Sequence, residues 1–447
     1  YIATFGCRTN QADSAAIRES FLHSSIEETT QPGDADIIVL NTCTVTHRSD
    51  QQVRQLARKM RRENQGARIV VTGCYAQRDP GALADIKGVD AVIGNTHKGD
   101  LVQISESLPA GPRAGNDAHG EVPVYGEVPV FREDFLKNRT LELTPAEFVG
   151  GRTRPYVKIQ DGCDAKCAYC IIPEVRGPSR SVRPDTILRQ VQDLIDAGFA
   201  EIVLTGIHIG TYGLHAQPRY PLDRLLTDIA GLPGLGRLRL SSIEPMELSQ
   251  RVIELAAATD RIAPHFHICL QSGSDRVLKR MLRPYNTEKF SRIVERIREL
   301  IPEAGIGTDV IVGFPGETAE DHEATFRFLE EGPFTYIHVF PYSDRPGTRA
   351  SGFGEKVDSK LIKKRSQELR ELSVRKNSEF RRRFLGQSLS VLTLTEKTNG
   401  MREAVAGNYL KAKLDGQLEG NRLLIGRAVR EDGEYLVLES ARNLSHR

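Results

Sequence analysis

Tyr156-Val157-Lys158-Ile159-Gln160-Asp161-Gly162-Cys163-Asp164-Ala165-Lys166-Cys167-Ala168-Tyr169-Cys170 runs from an apolar, strand-like segment straight into three thiols. Tyr156–Gln160 has the composition of a short strand, and the next residues carry the spacing C-x3-C-x2-C. Three thiolates this close can wrap one metal centre from a single loop, and such a run suits three irons of a four-iron cluster. The fourth iron is then left open to a substrate or cofactor. Structural zinc is the alternative, but it prefers four protein ligands and paired C-x2-C knuckles.

Working outward, the β/α alternation continues well past this loop. Strand candidates are Tyr156–Gln160, Glu201–Thr205, Leu238–Ser242, His265–Leu270, Gly307–Val312 and Tyr336–Tyr342. Helical stretches separate them, among them Pro184–Ala197, Ser249–Ala258, Thr287–Leu300 and Ala319–Glu331. Six βα units in succession predict a partial or full β/α barrel. Upstream, Tyr1–Phe5, Asp36–Leu40 and Arg68–Thr72 are apolar runs separated by helix-like Gln11–Ser24 and Asp50–Asn64. Near-continuous apolar strands with helices between them predict a doubly wound parallel sheet. Each run ends at a cysteine, Cys7, Cys43 or Cys74, spaced 36 and 31 residues apart. The carboxyl ends of parallel strands share one sheet edge, where ligand sites gather, so these thiols are expected to converge. Three unrelated core cysteines are the alternative, since Cys is among the most buried residue types. Cys269, inside a strand candidate, reads as core.

Between the blocks, residues 111–130 hold seven Gly or Pro, and Gly-Glu-Val-Pro-Val occurs at Gly120–Val124 and again at Gly126–Val130. Proline blocks helix and interior strand alike, so an extended linker is expected. Downstream, Lys360–Arg383 reads as a helix with ten basic against three acidic side chains. Short Gly-punctuated strands follow it (Ser388–Leu394, Leu410–Leu414, Arg422–Val429, Glu434–Leu438), reading as a small all-β barrel. The expected domains are 1–110, a linker over 111–148, a barrel domain over 149–382 and a terminal β domain over 383–447.

The chain of 447 residues is 39% hydrophobic and 27% charged, ordinary for a globular protein. It has no apolar run long enough to span a membrane. Its start has neither the basic front nor the apolar core of a signal peptide. Seven cysteines, grouped and odd in number, argue for metal or redox chemistry in a reducing cytosol rather than disulfides. The net charge of +2 names no partner, but local basic helices, including Arg54, Arg58, Lys59, Arg61 and Arg62, suit phosphate contacts. A solvated helix face is the plainer reading of such charge runs.

The loop Cys163–Cys170, followed by Ile171-Ile172-Pro173-Glu174-Val175-Arg176-Gly177, resembles the cluster loop of radical S-adenosylmethionine (SAM) enzymes. That resemblance implies a [4Fe-4S] cluster whose open iron chelates SAM, and an electron that cleaves its sulfonium to a 5′-deoxyadenosyl radical. It places Tyr169 against the adenine. With the three strand-end cysteines and the terminal barrel, nearly the whole chain resembles the methylthiotransferase subgroup. This implies a second [4Fe-4S] cluster on Cys7, Cys43 and Cys74, bearing the transferred sulfur, and a C-terminal RNA-binding barrel of the TRAM type. Ile311-Val312-Gly313-Phe314-Pro315-Gly316-Glu317 resembles the strand end lying along the adenine, implicating Gly313 and Phe314. Gly206 stands where many relatives contact the SAM amino group, though Leu204-Thr205-Gly206-Ile207 departs from their Gly-Gly-Glu. Gln271-Ser272-Gly273-Ser274-Asp275 resembles a subgroup signature, so Gln271 and Ser272 are expected at ribose or carboxylate, with Glu244 a similar strand-end candidate. Arg280 and Arg283 are read as substrate contacts or as solvated surface.

Gly6-Cys7-Arg8-Thr9-Asn10-Gln11, Asn41-Thr42-Cys43-Thr44-Val45-Thr46 and Lys158–Cys163 most resemble the branch acting on N6-threonylcarbamoyladenosine in tRNA. The implied reaction replaces C–H at carbon 2 of the base beside the anticodon with C–S–CH3. The implied partners are the anticodon stem-loop and an electron donor, with no membrane, a monomeric chain and a cytoplasmic location. Methylthiolation of isopentenyladenosine, or of a ribosomal-protein aspartate, is the alternative within the subgroup. Outside it stand a non-catalytic metal-containing RNA-binding protein and an Fe–S electron carrier.

Overall fold

The structure is a computed structural model that describes residues 1–109, 124–125, 128–135 and 153–443. Most of the expected linker lies outside these residues. The described strands are β1 (Ile2–Thr4), β2 (Ile37–Thr42), β3 (Arg68–Gly73), β4 (Ala91–Ile93), β5 (Val124–Tyr125), β6 (Val128–Phe131), β7 (Tyr156–Lys158), β8 (Gln160–Asp161), β9 (Arg180–Ser181) and β10 (Glu201–Thr205). They continue as β11 (Arg237–Leu240), β12 (His265–Gln271), β13 (Gly305–Val312), β14 (Tyr336–Pro341), β15 (Ser388–Thr398), β16 (Met401–Ala406), β17 (Lys411–Leu414), β18 (Leu423–Asp432) and β19 (Tyr435–Asn443). The chain divides into two compact units. One comprises Tyr1–Gly150, Gln160–Val182 and Ser343–Ser351; the other comprises Gly151–Ile159, Arg183–Tyr342 and Gly352–Arg447.

In the first unit, β1 to β4 lie side by side in parallel, followed by β6 and β5. Alternate residues of β2 and β3 serve opposite faces. Ile38, Leu40, Ile69 and Val71 meet Val53, Ala57 and Met60 of the helix His47–Glu63. Ile37, Val39 and Val70 meet Ile17 and Phe21 of the helix Arg8–His23 and Leu101 beyond β4. Helices thus cover both faces, as the unbroken apolar runs predict. Burying each such side chain contributes about 1.5–3 kcal/mol before the entropy of ordering. Val128–Phe131 differs from expectation, since it is a sheet strand rather than extended linker. Pro129 is tolerated because β6 has only two-residue β5 beyond it, near the sheet edge.

In the second unit, β7, β10 and β11 form one parallel set and β12, β13 and β14 another. A parallel bridge, Ile243↔Ile268, links them. The helices expected between the strands are present, each within a residue of its expected bounds. The result is the partial β/α barrel. β15-β16-β17-β19-β18 close into the small barrel, including β16, which the sequence reading missed. Glu201 ties the two together: it is fully buried and accepts from Arg237 Nε at 2.7 Å and Arg239 Nε at 2.8 Å. Arg239 reaches on to the carbonyls of Gly407 (2.9 Å) and Ala406 (3.1 Å). Burial would raise the carboxyl's pKa, but the two guanidiniums hold it well below the usual range. This junction lies at the amino-terminal ends of β10 and β11, leaving their carboxyl ends for chemistry.

Candidate functional site

Cys7 caps the helix after β1, Cys43 follows the last residue of β2, and Cys74 opens the short helix after β3. All three therefore sit at adjacent parallel strand ends, as expected from their spacing. Gly6 sits at φ +91°, and a Cβ there would fall 2.8 Å from Cys43 Sγ, so only glycine admits this approach. Cys7 is exposed while Cys43 and Cys74 are buried. Burial, with the neighbouring thiols of Cys74 and Cys7, pushes the Cys43 thiol up to about 12, against a smaller pull from the Val45 N–H and Arg176. A thiol held so firmly protonated needs a cation to ionise it, which is what a metal centre supplies.

The second cysteine loop is closed at its base. β8 pairs antiparallel with β9, Cys163 N–H donates to the Gly177 carbonyl at 3.0 Å, and Gln160 Nε2 donates to Gly162 O and Ser179 Oγ. Gly162, at φ +76°, has no room for a Cβ beside the Pro178 carbonyl. The Ala165 N–H points at Cys163 Sγ, 3.4 Å away, a donor of the kind that stabilises a ligand thiolate. Cys163, Cys167, Tyr169 and Cys170 are all half-buried.

One residue that the sequence reading passed over joins the two sets. Arg176 ends the helix Ile172–Arg176 and is buried. Its Nε donates to Cys74 Sγ at 3.2 Å, Nη1 to Asp161 at 2.9 Å, and Nη2 to Asp13 at 3.0 Å and to Asn10. Asn10 also donates to the carbonyls of Phe5 and Thr42 beside Cys7 and Cys43. The guanidinium pKa rises well above its usual value: burial opposes the charge, but Asp161, Cys74 and Asp13 outweigh it. A second anchor is Arg345, whose Nη1 meets Asp50 at 2.6 Å while Arg78 meets the same carboxylate at 3.1 Å. The only sequence signal for Arg176 was its place in the motif after Cys170.

In the other unit, Gly206, Glu244, Gln271 and Gly313 lie at the carboxyl ends of β10, β11, β12 and β13. Gln271 is buried at φ +68°, where the β12–β13 register shifts. Glu244 pairs with Arg283, which is buried and also donates to Tyr285 OH at 2.9 Å. Arg283 is thus no solvated surface residue. Arg280 is held by Glu355 at 2.8 Å and the Pro315 carbonyl. Ser272 Oγ lies 3.3 Å from Thr325 Oγ1 and accepts from Ser274 N–H, inside a turn. Gly313 (φ +79°) packs so closely on Ile362 that a Cβ would fall 2.3 Å from it. Phe314 is buried edge-on to Tyr342 and Phe353. Cys269 is half-buried with its thiol 3.6 Å from Asp309, rather than core. Of the basic residues, Arg61, Arg365 and Arg381 are tied to Asp90, Glu317 and Glu431. Lys360, Lys363, Arg370 and Arg382 are exposed on the helix Ser359–Arg382.

The Radical SAM superfamily matches residues 157–329, and the grouping described as Uncharacterized protein family UPF0004 matches residues 1–94. The chain is 39% identical to the threonylcarbamoyladenosine tRNA methylthiotransferase MtaB of Aquifex aeolicus, over 94% of this chain and 98% of that one. It is 36% identical to the protein of the same name from Bacillus subtilis, over 96% and 92%. The chain belongs to the radical SAM methylthiotransferases, in the MtaB branch. A tRNA-2-methylthio-N(6)-dimethylallyladenosine synthase of Mycolicibacterium smegmatis is 35% identical, over 93% and 80%. Among solved structures, the radical SAM methyltransferase TsrM of Kitasatospora setae matches 74% of this chain and 68% of its own at TM-score 0.51 and 18% identity, a likeness of fold alone. Membership makes this chain an enzyme that transfers sulfur-containing groups using an iron–sulfur cluster and SAM. No described helix is long and apolar enough to cross a membrane.

Proposed function

We propose that this enzyme methylthiolates carbon 2 of N6-threonylcarbamoyladenosine, the base 3′ of the anticodon in tRNA. The observation that carries the reading is its relation to MtaB over nearly the whole of both chains. In this reading Cys163, Cys167 and Cys170 hold the cluster that binds SAM. Cys7, Cys43 and Cys74 hold a second [4Fe-4S] cluster, with Tyr169, Gly206, Glu244, Gln271, Ser272, Gly313 and Phe314 around the cofactor. Buried thiols facing a buried guanidinium suit such a cluster, because hydrogen bonds and charge at the sulfurs set its potential. When bound, the clusters and SAM supply radical hydrogen abstraction and a sulfur source, which no acid–base side chain offers at an aromatic C–H. The chain's own residues do the positioning: Gly6 admits Cys43, Arg176 fixes the Cys74 sulfur, and the Cys163–Gly177 bond closes the loop.

The division into 1–110, 111–148, 149–382 and 383–447 carries over as part of the proposal, with the last segment the TRAM-type RNA-binding module. Exposed Lys360, Lys363 and Arg370 beside it suit the phosphates of an anticodon stem-loop. The base leaves its stack at a cost of a few kcal/mol, less in a loop. The site of action is the cytoplasm, with a monomeric enzyme and a separate electron donor.

The test expresses the gene in a bacterial host lacking its own methylthiotransferases, with tRNA nucleosides read by mass spectrometry. The expected product is the 2-methylthio form of N6-threonylcarbamoyladenosine. Methylthiolated isopentenyladenosine would overturn the substrate and keep the reaction. No methylthio nucleoside from protein with its full iron would overturn both.

A further inference from the structure

One shared face of β12, β13 and β14 carries a group that neither the cysteine chemistry nor the SAM positions use. His267, Asp309 and His338 each offer one ligand atom, and these atoms all lie within 4.8 Å of one another. His267 Nε2 is 2.8 Å from Asp309 Oδ1, and His338 Nδ1 is 3.3 Å from the same oxygen. Asp309 and His338 are directly paired across β13 and β14, so the backbone ladder fixes their approach.

The arrangement is built from behind. His267 Nδ1 lies 3.0 Å from Tyr336 OH, and that hydroxyl also lies 2.8 Å from His265 Nε2. A bond at Nδ1 sets the imidazole's orientation and aims its other nitrogen, which is how metal-binding histidines are commonly held. Tyr336 reaches this place only because Gly307 lacks a side chain: a Cβ there would lie 2.0 Å from the Tyr336 ring. Asp309 is half-buried, which alone would raise its pKa, yet the imidazoles of His267 and His338 hold it well below the usual carboxylate range. His338 is 54% exposed, so one side of the cluster is open. A tetrahedral zinc, about 2.0–2.1 Å from each donor, needs donors roughly 3.3 Å apart. The His338–Asp309 separation already matches this, and the His267–Asp309 separation requires an opening of about half an ångström.

We propose that His267, Asp309 and His338 form a divalent transition-metal site, with zinc as its occupant and a fourth position open on the exposed His338 side. Two imidazoles and one carboxylate are a donor set for zinc and its neighbours rather than for magnesium or calcium. The Cys269 thiol, on the far oxygen of Asp309, stays outside the coordination sphere.

The test uses the iron-loaded full chain, prepared anaerobically and dialysed against buffered zinc, with elemental analysis and zinc-edge X-ray absorption. The expected result is one zinc per chain with only nitrogen and oxygen at about 2.0–2.1 Å. His338→Ala and His338→Gln should each weaken retention at least tenfold, with iron content unchanged. Asp309→Asn serves as a second variant with the same expectation. The proposal is overturned if the wild type retains no zinc, if the zinc shell is sulfur at about 2.3 Å, which marks misloaded cluster cysteines, or if the His338 variants retain zinc as well as the wild type.

Discussion

Replacing Arg176 by methionine removes one buried cation from a cluster of groups that depend on it. The side chains of Arg176, Asp13 and Asp161 are 2%, 1% and 8% exposed. Asp13 keeps Lys98, 2.8 Å away, but Asp161 loses the guanidinium that meets both of its oxygens, at 2.9 and 3.1 Å. Breaking a buried ion pair by removing one partner costs about 3–5 kcal/mol. For a unit of this size each kcal/mol lowers the melting temperature by about 2–4 °C, so the expected drop is about 6–20 °C. Adding Asp161→Asn removes the abandoned charge and should recover part of that loss, which a double-mutant cycle measures. The same substitution deletes the Nε donor and a positive charge at Cys74 Sγ, 3.2 Å away. Both changes favour the oxidised, less negative state of a cluster, so its reduction potential falls. Calorimetry and a spectroscopically monitored redox titration of anaerobic protein read the two effects separately. A variant melting within about 2 °C of wild type, with an unshifted potential, would refute the role given to Arg176.

Three further outcomes are expected. In cluster-free protein at pH 8, Cys43, with its pKa near 12, carries about a thousandfold less thiolate than an ordinary thiol at about 8.5. Mass spectrometry after iodoacetamide should therefore show Cys43 protected while exposed Cys7 reacts. Because the folded pKa is raised, the stability linked to Cys43 is full below the unfolded value and is lost as pH climbs above about 9. Glu201→Gln leaves Arg237 and Arg239 buried without their carboxylate, at about 3–5 kcal/mol, and hydrogen exchange should speed up around Ala406 and Gly407. The folded pKa of Glu201 is depressed, so the wild-type advantage is full above about pH 5 and shrinks as pH falls below about 4.3. Gly313→Ala meets both a positive φ and Ile362, and should cost about 1–3 kcal/mol. Ile362→Ala in the same chain should restore only part of that in a melting experiment, because the backbone strain remains.

Much of the molecule was legible in its sequence because the deciding signals are local. Apolar runs such as Ile37–Leu40 read as strands buried on both faces, whereas the cap Thr46 went unread and the helix His47–Glu63 was expected to start three residues late, at Asp50. Strand ends then place Cys7, Cys43 and Cys74 without any coordinates. β16 was missed because Met401–Ala406 mixes charge with small residues and owes its strand state to its neighbours. Val128–Phe131 was misread because proline's local bias against strands yields to a place near the sheet edge.

What the sequence by itself determined is the β/α alternation, the two cysteine sets and the chemistry their spacing allows. These follow from side-chain periodicity and from thiolate–iron affinity, both readable within a few residues. Only the tertiary structure decided which distant charges meet. Arg176 finds Cys74 across 102 residues, Arg345 finds Asp50 across 295, and His267 finds Asp309 across 42. No local pattern marks such partners, because an ion pair depends on two side chains reaching one buried point, and that point exists only once the sheets have packed.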